Sequence, residues 1–392
     1  MTVSSGRNFL HTPGPTNIPE RVLRAMLQPA VDFTDPNFLA MTQSCFADLK
    51  KVFRTESEVI CFASNGHGAW EAALVNTLSP GDKVLVPTSG HFTQNWAEMA
   101  EAFGVEVVEA PGDWRHAISP DSIENSLHKD KGHEIKAVLT VHTDTATGIT
   151  SDLAALRRAI DNAKHPALYM VDTVAALGTV DFRMDEWGID VAVGGSQKGL
   201  MQPPGLAFNA VSAKALAACK TAKLPRLYWD WERRMEEAYY RWFCGTPPEH
   251  LLFALREGLD MVLEEGLDNA FERHRRLAEA VRSAVAVWSR ANALNLNALV
   301  PEERSNSVTT ILVAEGYDAD KLRMISREKF DVSLGSGLGN TRGKAFRIGH
   351  MGYLNEPMIL GALAGVEASL EATGIPYEKG GINAAVEFLA TG

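Results

Sequence analysis

Short apolar runs alternate with longer amphipathic stretches from residue 57 onward, and that alternation predicts the fold class. Val59–Ala63, Lys83–Pro87, Val105–Glu109, Ala137–His142 and Ala167–Asp172 read as buried strands, and Asp190–Gly194 and Gly205–Ala210 add two more. Between them, Ala69–Leu78, Asn95–Phe103 and Ser151–Ala163 carry apolar residues at helical spacing. Apolar strands separated by helices predict an α/β fold whose large, mostly parallel, seven-stranded sheet is flanked by helices. Upstream, a helix is expected near Glu20–Leu27 and an amphipathic one over 37–53. The segment His11–Pro19 holds Pro13, Gly14, Pro15 and Pro19, which no helix interior tolerates. It reads as an extended arm laid across the body.

The rhythm changes near residue 250. Leu251–Glu265 and Leu267–Arg290 are long helical runs, and Val308–Val313 and Ala345–Ile348 are short strands with helices between and after them. A chain of 392 residues exceeds what one core organises. The expected division is an N-terminal arm over 1–20, a large domain over 21–265 and a small C-terminal α+β domain over 266–392.

Composition narrows the function. Lys and Arg number 38 against 49 Asp and Glu, a net charge of −11, with no basic cluster set apart, which argues against nucleic acid as a partner. No apolar run approaches the ~20 residues of a membrane span, so no membrane partner is expected. Cys45, Cys61, Cys219 and Cys244 show neither metal-binding nor paired spacing and read as small buried hydrophobes. With no apolar leader at the N-terminus, the expected location is the cytoplasm.

Four sites carry candidate chemistry. Lys198 lies in Gly194-Gly195-Ser196-Gln197-Lys198-Gly199, just past a strand. A lysine so placed is either a surface loop residue or a desolvated nucleophile toward a carbonyl. Asp172 closes an apolar strand, where open α/β sheets bind ligands. It reads as a helix cap, a metal ligand or the partner of a cationic ring nitrogen. Asn65-Gly66-His67-Gly68 opens a helix and could cradle a phosphate on free backbone N–H groups. Phe92 follows in the next strand–helix loop as a flat surface or as core. Arg347, in Phe346-Arg347-Ile348-Gly349-His350, offers a fork for a carboxylate or an interdomain salt bridge. Together these are the parts of a pyridoxal phosphate enzyme.

The motifs PGPTNIP (13–19), GHGAWEAALVNTLSPGD (66–82), HTDTATG (142–148), VDTVAALG (171–178), FRMDEWGIDVAVGGSQKGLMQPPGL (182–206) and FRIGHMG (346–352) resemble the class V, fold type I aminotransferases over nearly the whole chain. Within that family they are most similar to the serine–glyoxylate and alanine–glyoxylate (serine–pyruvate) aminotransferases. The resemblance implies a fold type I transferase using pyridoxal 5′-phosphate. Lys198 would bond it covalently and Asp172 would pair with its ring nitrogen. Thr145 would lie near the ring hydroxyl, Phe92 would stack on the ring, and Asn65, Gly66, His67 and Gln197 would surround the phosphate. Arg347 would hold the substrate α-carboxylate. Thr246 would reach the phosphate of a neighbouring subunit, implying a homodimer, which could pair into a tetramer. Two positions depart from the pattern. Phe243 stands where relatives often have a phosphate-binding tyrosine, and Arg342 either faces solvent or meets a second substrate carboxylate.

The implied reaction is ping-pong transfer of an amino group from a small L-amino acid, serine or alanine, to glyoxylate or pyruvate. An aspartate–glyoxylate specificity and a lyase of the same fold are the alternatives. A desulfurase would need a mobile cysteine in the C-terminal part, and the last cysteine is Cys244. A nicotinamide dehydrogenase would need a GxGxxG at the first strand–helix turn, which is missing.

Overall fold

The computed structural model describes residues 6–391. Fourteen strands form three sheets among these residues. In chain order they are β1 (Phe9–His11), β2 (Glu58–Ser64), β3 (Lys83–Pro87), β4 (Glu106–Ala110), β5 (Ile135–Val141), β6 (Thr143–Asp144), β7 (Ile149–Thr150), β8 (Leu168–Asp172), β9 (Val191–Gly195), β10 (Gly205–Val211), β11 (Leu294–Leu296), β12 (Val308–Val313), β13 (Val332–Ser336) and β14 (Ala345–Gly349).

The large sheet runs β2-β10-β9-β8-β5-β3-β4. Its four pairings from β9 to β4 are parallel, and β10 alone runs against its neighbours β2 and β9. Strand β8 reads LYMVD and is buried throughout, because helices cover both faces. Helices Pro36–Phe53, Leu153–Asn162 and Glu249–Glu265 close one face around Leu49, Leu156 and Leu255. Gly66–Thr77, His91–Ala102 and Ala213–Cys219 close the other around Leu74, Trp96 and Ala215. The Pro36–Phe53 helix starts where the sequence dictates: Asp35 accepts hydrogen bonds from the Asn37 and Phe38 N–H groups, and Pro36 occupies the first turn, where an N–H is not needed.

The parallel arrangement places the site. Strands β9, β8, β5 and β3 are neighbours pointing the same way, so the loops after their carboxyl ends meet at one edge. Those loops carry Lys198, the residues after Asp172 and the β6–β7 hairpin, while Phe92, expected in a loop, lies in the first turn of the His91–Ala102 helix that follows β3.

A second sheet, β1-β13-β14-β12-β11, packs with helices Leu267–Trp288, Ala319–Phe330 and Glu356–Thr373 around Val281, Phe346 and Leu363. We place the boundary between the two bodies at Gly266, whose φ of +82° separates two consecutive helices. The segment His11–Pro19, expected as an extended arm laid across the body, reaches the loop after β9 through Thr16, and a short strand precedes it. Phe9–His11 pairs in parallel with β13, so the chain begins its described course inside the second sheet and only then crosses to the large one. Alternation is too short over three residues to show a strand, and its partner lies more than 300 residues away.

Candidate active site

A cavity of about 180 Å³ opens at the carboxyl edge of the large sheet. Lys198, Asp172, Thr145 and Phe92 line it, and so do Gln197, Asn65, Gly66 and His67. The chain therefore brings eight of the sequence-selected residues to one place. Arg347 stands beside it. Thr246 is exposed on the loop before the Glu249–Glu265 helix and lies outside this cavity.

Lys198 is not a solvated loop residue. Thr16 ties the arm down across it: the Thr16 hydroxyl donates to the Lys198 carbonyl at 3.1 Å, and the Thr16 N–H to the Gln197 carbonyl at 3.2 Å. The arm thereby brings the Pro13 carbonyl to the lysine, whose Nζ donates to it. Gly14 turns the arm there with φ +97°, and a Cβ at that residue would overlap the lysine side chain. Burial, reinforced by the Arg347 charge and opposed by Asp172, lowers the ammonium pKa to about 8.

Asp172 is 4% exposed and caps no helix; turns follow it. One carboxylate oxygen accepts the Val174 N–H at 2.6 Å, and the other accepts the Trp70 indole N–H at 3.0 Å. Burial nevertheless pushes its pKa up to about 7, with the Val174 and Trp70 hydrogen bonds opposing the rise. The metal-ligand alternative has no support: among the described residues no group of three or more acids, histidines or cysteines could hold an ion.

The Gly66–Thr77 helix starts at the cavity. Asn65 caps it by accepting the His67 and Gly68 N–H groups at 3.1 and 3.4 Å. Gly66 packs against Val174 so closely that a Cβ would sit 3.0 Å from a valine methyl. Beside this positive helix end, the Gln197 amide has a buried oxygen with no partner. His67 is half-buried, and burial lowers its pKa, with His91 adding to the effect, so its ring is neutral at pH 7.

Arg347 is 6% exposed on β14 and meets carbonyls, not a carboxylate. Its Nε donates to Ser336 at 2.6 Å, and Nη1 donates across to Thr145 of the large body at 2.8 Å. Burial lowers its pKa to about 10, so it stays cationic at neutral pH. The interdomain salt bridge is replaced by an interdomain hydrogen bond. Arg342 is exposed, and Phe243 is buried in the core against Phe46. Cys45, Cys61 and Cys219 are buried as expected, whereas Cys244 is exposed.

Sequence reasoning missed two residues. Trp70 lines the cavity one turn into its helix, and nothing in GHGAWEAAL marks an indole that faces an acid. Asp144 lies buried behind Phe92 and Thr145. It accepts the Phe92 and Ala146 N–H groups, both at 2.8 Å. The rule that found Asp172, an acid beyond the end of a buried parallel strand, would have found Asp144 after β5.

The chain matches the model of the family described as aminotransferase class-V over residues 8–347. It is 46% identical over 391 residues to a serine–glyoxylate aminotransferase of Methylorubrum extorquens, covering 98% of this chain and 96% of that one. It is 45% identical to an L-aspartate–glyoxylate aminotransferase of Paracoccus denitrificans, with 98% and 96% covered. The crystal structure of ureidoglycine–glyoxylate aminotransferase from Bacillus subtilis superposes with a TM-score of 0.90 at 30% identity, and each chain is covered completely. The chain belongs to the class-V aminotransferases.

Proposed function

We propose that this class-V aminotransferase transfers the amino group of a small L-amino acid, serine or alanine, to glyoxylate or pyruvate, with pyridoxal 5′-phosphate held in the cavity described above. The juxtaposition of a lysine of lowered pKa, a buried carboxylate and a helix N-terminus in one cavity carries this reading. The relatives' names supply the acceptor, glyoxylate.

The residues present fit the cofactor. The Gly66–Thr77 helix start, with its free N–H groups, suits a phosphate, with Asn65, His67 and Gln197 at its border. The buried Asp172 lacks a cationic partner within its own hydrogen bonds, and a protonated ring nitrogen would supply one. Phe92 offers a flat face and Thr145 a hydroxyl. When bound, the group supplies an aldehyde for amino groups and a ring that draws electrons from the substrate Cα. Lys198 at its lowered pKa keeps a fraction of its amine unprotonated near neutrality, and that amine would take the proton leaving Cα and hand it to the former aldehyde carbon of the cofactor within the same half-reaction, the other half-reaction running the transfer in reverse. Arg347 remains cationic and orients the substrate by its α-carboxylate. Thr246, exposed and outside its own cavity, is free to complete a second subunit's phosphate site in a homodimer.

The exposure of Arg342 favours a monocarboxylate donor over aspartate, because this arginine does not face the cavity. A panel of donors against acceptors tests this on purified protein, following each half-reaction by cofactor absorbance. Serine or alanine with glyoxylate or pyruvate should turn over fastest. Preference for aspartate would reverse the donor assignment, and β-cleavage of the donor without a 2-oxo acid acceptor would identify a lyase.

A further inference from the structure

We infer that Trp70 is a positioning residue for Asp172: its indole N–H, one turn into the Gly66–Thr77 helix, holds the carboxylate ionised and oriented for pairing with a cationic ring nitrogen. The inference rests on the proposed cofactor reading and deepens it at a residue to which that reading gives no role.

Three observations support it. The indole Nε1 lies 3.0 Å from Asp172 Oδ2, while the other oxygen takes the Val174 N–H. These two donors offset the burial of an acid that is 4% exposed. The indole is fixed from behind by Trp96, whose ring is stacked 5.6 Å away at 14°, and it is 1% exposed itself. The same helix touches the Asp172 turn a second time through Gly66 and Val174. One rigid element therefore presents its N-terminus to the phosphate end of the cavity and an N–H donor to the carboxylate end. The two ends keep their spacing because they belong to one helix.

The other charges bearing on Asp172 are Lys198, from the loop after β9, and Asp144, from the β6–β7 hairpin. Lys198 favours the ionised acid and Asp144 opposes it. His67, against the indole at 4.5 Å, is neutral at pH 7 and adds no charge. Removing the Trp70 donor therefore leaves Asp172 more easily protonated.

Trp70→Phe keeps an aromatic ring against Trp96 and removes the donor. With cofactor bound, the acid limb of kcat, wherever the ring nitrogen's charge sets it, should move up by about one pH unit, since a hydrogen bond to a charged group is of that order. On that limb the variant should be several-fold slower than the wild type and converge with it at higher pH, with the KM for the amino donor unchanged. A loss of kcat equal at every pH, or a loss expressed in KM, would overturn the inference. A cofactor-free readout accompanies it. Indole fluorescence of the apoprotein should titrate near neutrality in the wild type and not in Asp172→Asn or Trp70→Phe. A wild-type profile that Asp172→Asn reproduces would also overturn it. A chain that never loads cofactor would sink the proposed function instead, and the apoprotein titration would still test the Trp70–Asp172 contact.

Discussion

Arg347 shows how much a single buried residue fixes. A guanidinium 6% exposed must satisfy its donors, and the chain does so with the carbonyls of Ser336 and Thr145. No ion pair to its guanidinium is found among the described residues, which is consistent with the proposal that a substrate carboxylate compensates its charge. Arg347→Lys keeps the charge and loses the planar fork. KM for the amino donor should rise about 10²-fold, the loss expected for one or two charge-assisted hydrogen bonds, with a smaller change in kcat. Steady-state kinetics with serine and glyoxylate checks this, and an unchanged KM would place the carboxylate elsewhere. Lys198 and Asp172 illustrate the opposite pull. Burial drives the lysine toward its neutral amine and the acid toward its neutral form, and each group's charge favours ionisation of the other.

At the scale of elements, the sequence was most readable where periodicity is long. The helix expected over 37–53 is Pro36–Phe53, and the strand expected at Lys83–Pro87 is β3. The expected Ala69–Leu78 helix in fact begins three residues earlier, at Gly66, because Asn65 caps it and a glycine start carries no apolar signal. Short or non-local elements escaped. The Pro120–Lys129 helix has only Ile123 and Leu127 as buried apolar positions, the two-residue strands of the β6–β7 hairpin are too short to show a period, and β1 is defined by a partner distant in sequence. The same distinction governs the site. Asp172 and Lys198 could be read locally as residues beyond strand ends. Asp144, just past the end of β5, is open to the same local reading, whereas Trp70 gains meaning only when β8 and the Gly66–Thr77 helix converge, which no local pattern encodes. The arm's proline and glycine announced an extended segment, but not that Pro13 and Gly14 would lie against Lys198.

At the scale of the molecule, loops of the large sheet line the cavity, the arm lies against Lys198, and a second chain is proposed to complete the site. Thr246 and Lys198 then belong to different functional sites of one polypeptide, which makes complementation possible. Subunits carrying Lys198→Ala are expected to be inactive alone, and those carrying Thr246→Glu impaired by repulsion of the phosphate. Mixed and allowed to exchange, they should recover about a quarter of wild-type activity, because half of the dimers are mixed and each holds one intact site. Activity fixed at the average of the two parents would mean that each chain completes its own site. The most direct measurement concerns the bond on which all of this chemistry depends. The purified, cofactor-loaded protein is reduced with borohydride, digested and its pyridoxyl peptide mapped. One label per chain on Lys198, with loss of the long-wavelength absorbance, is the expected result; a label on another residue, or none, would contradict the assignment of the cavity.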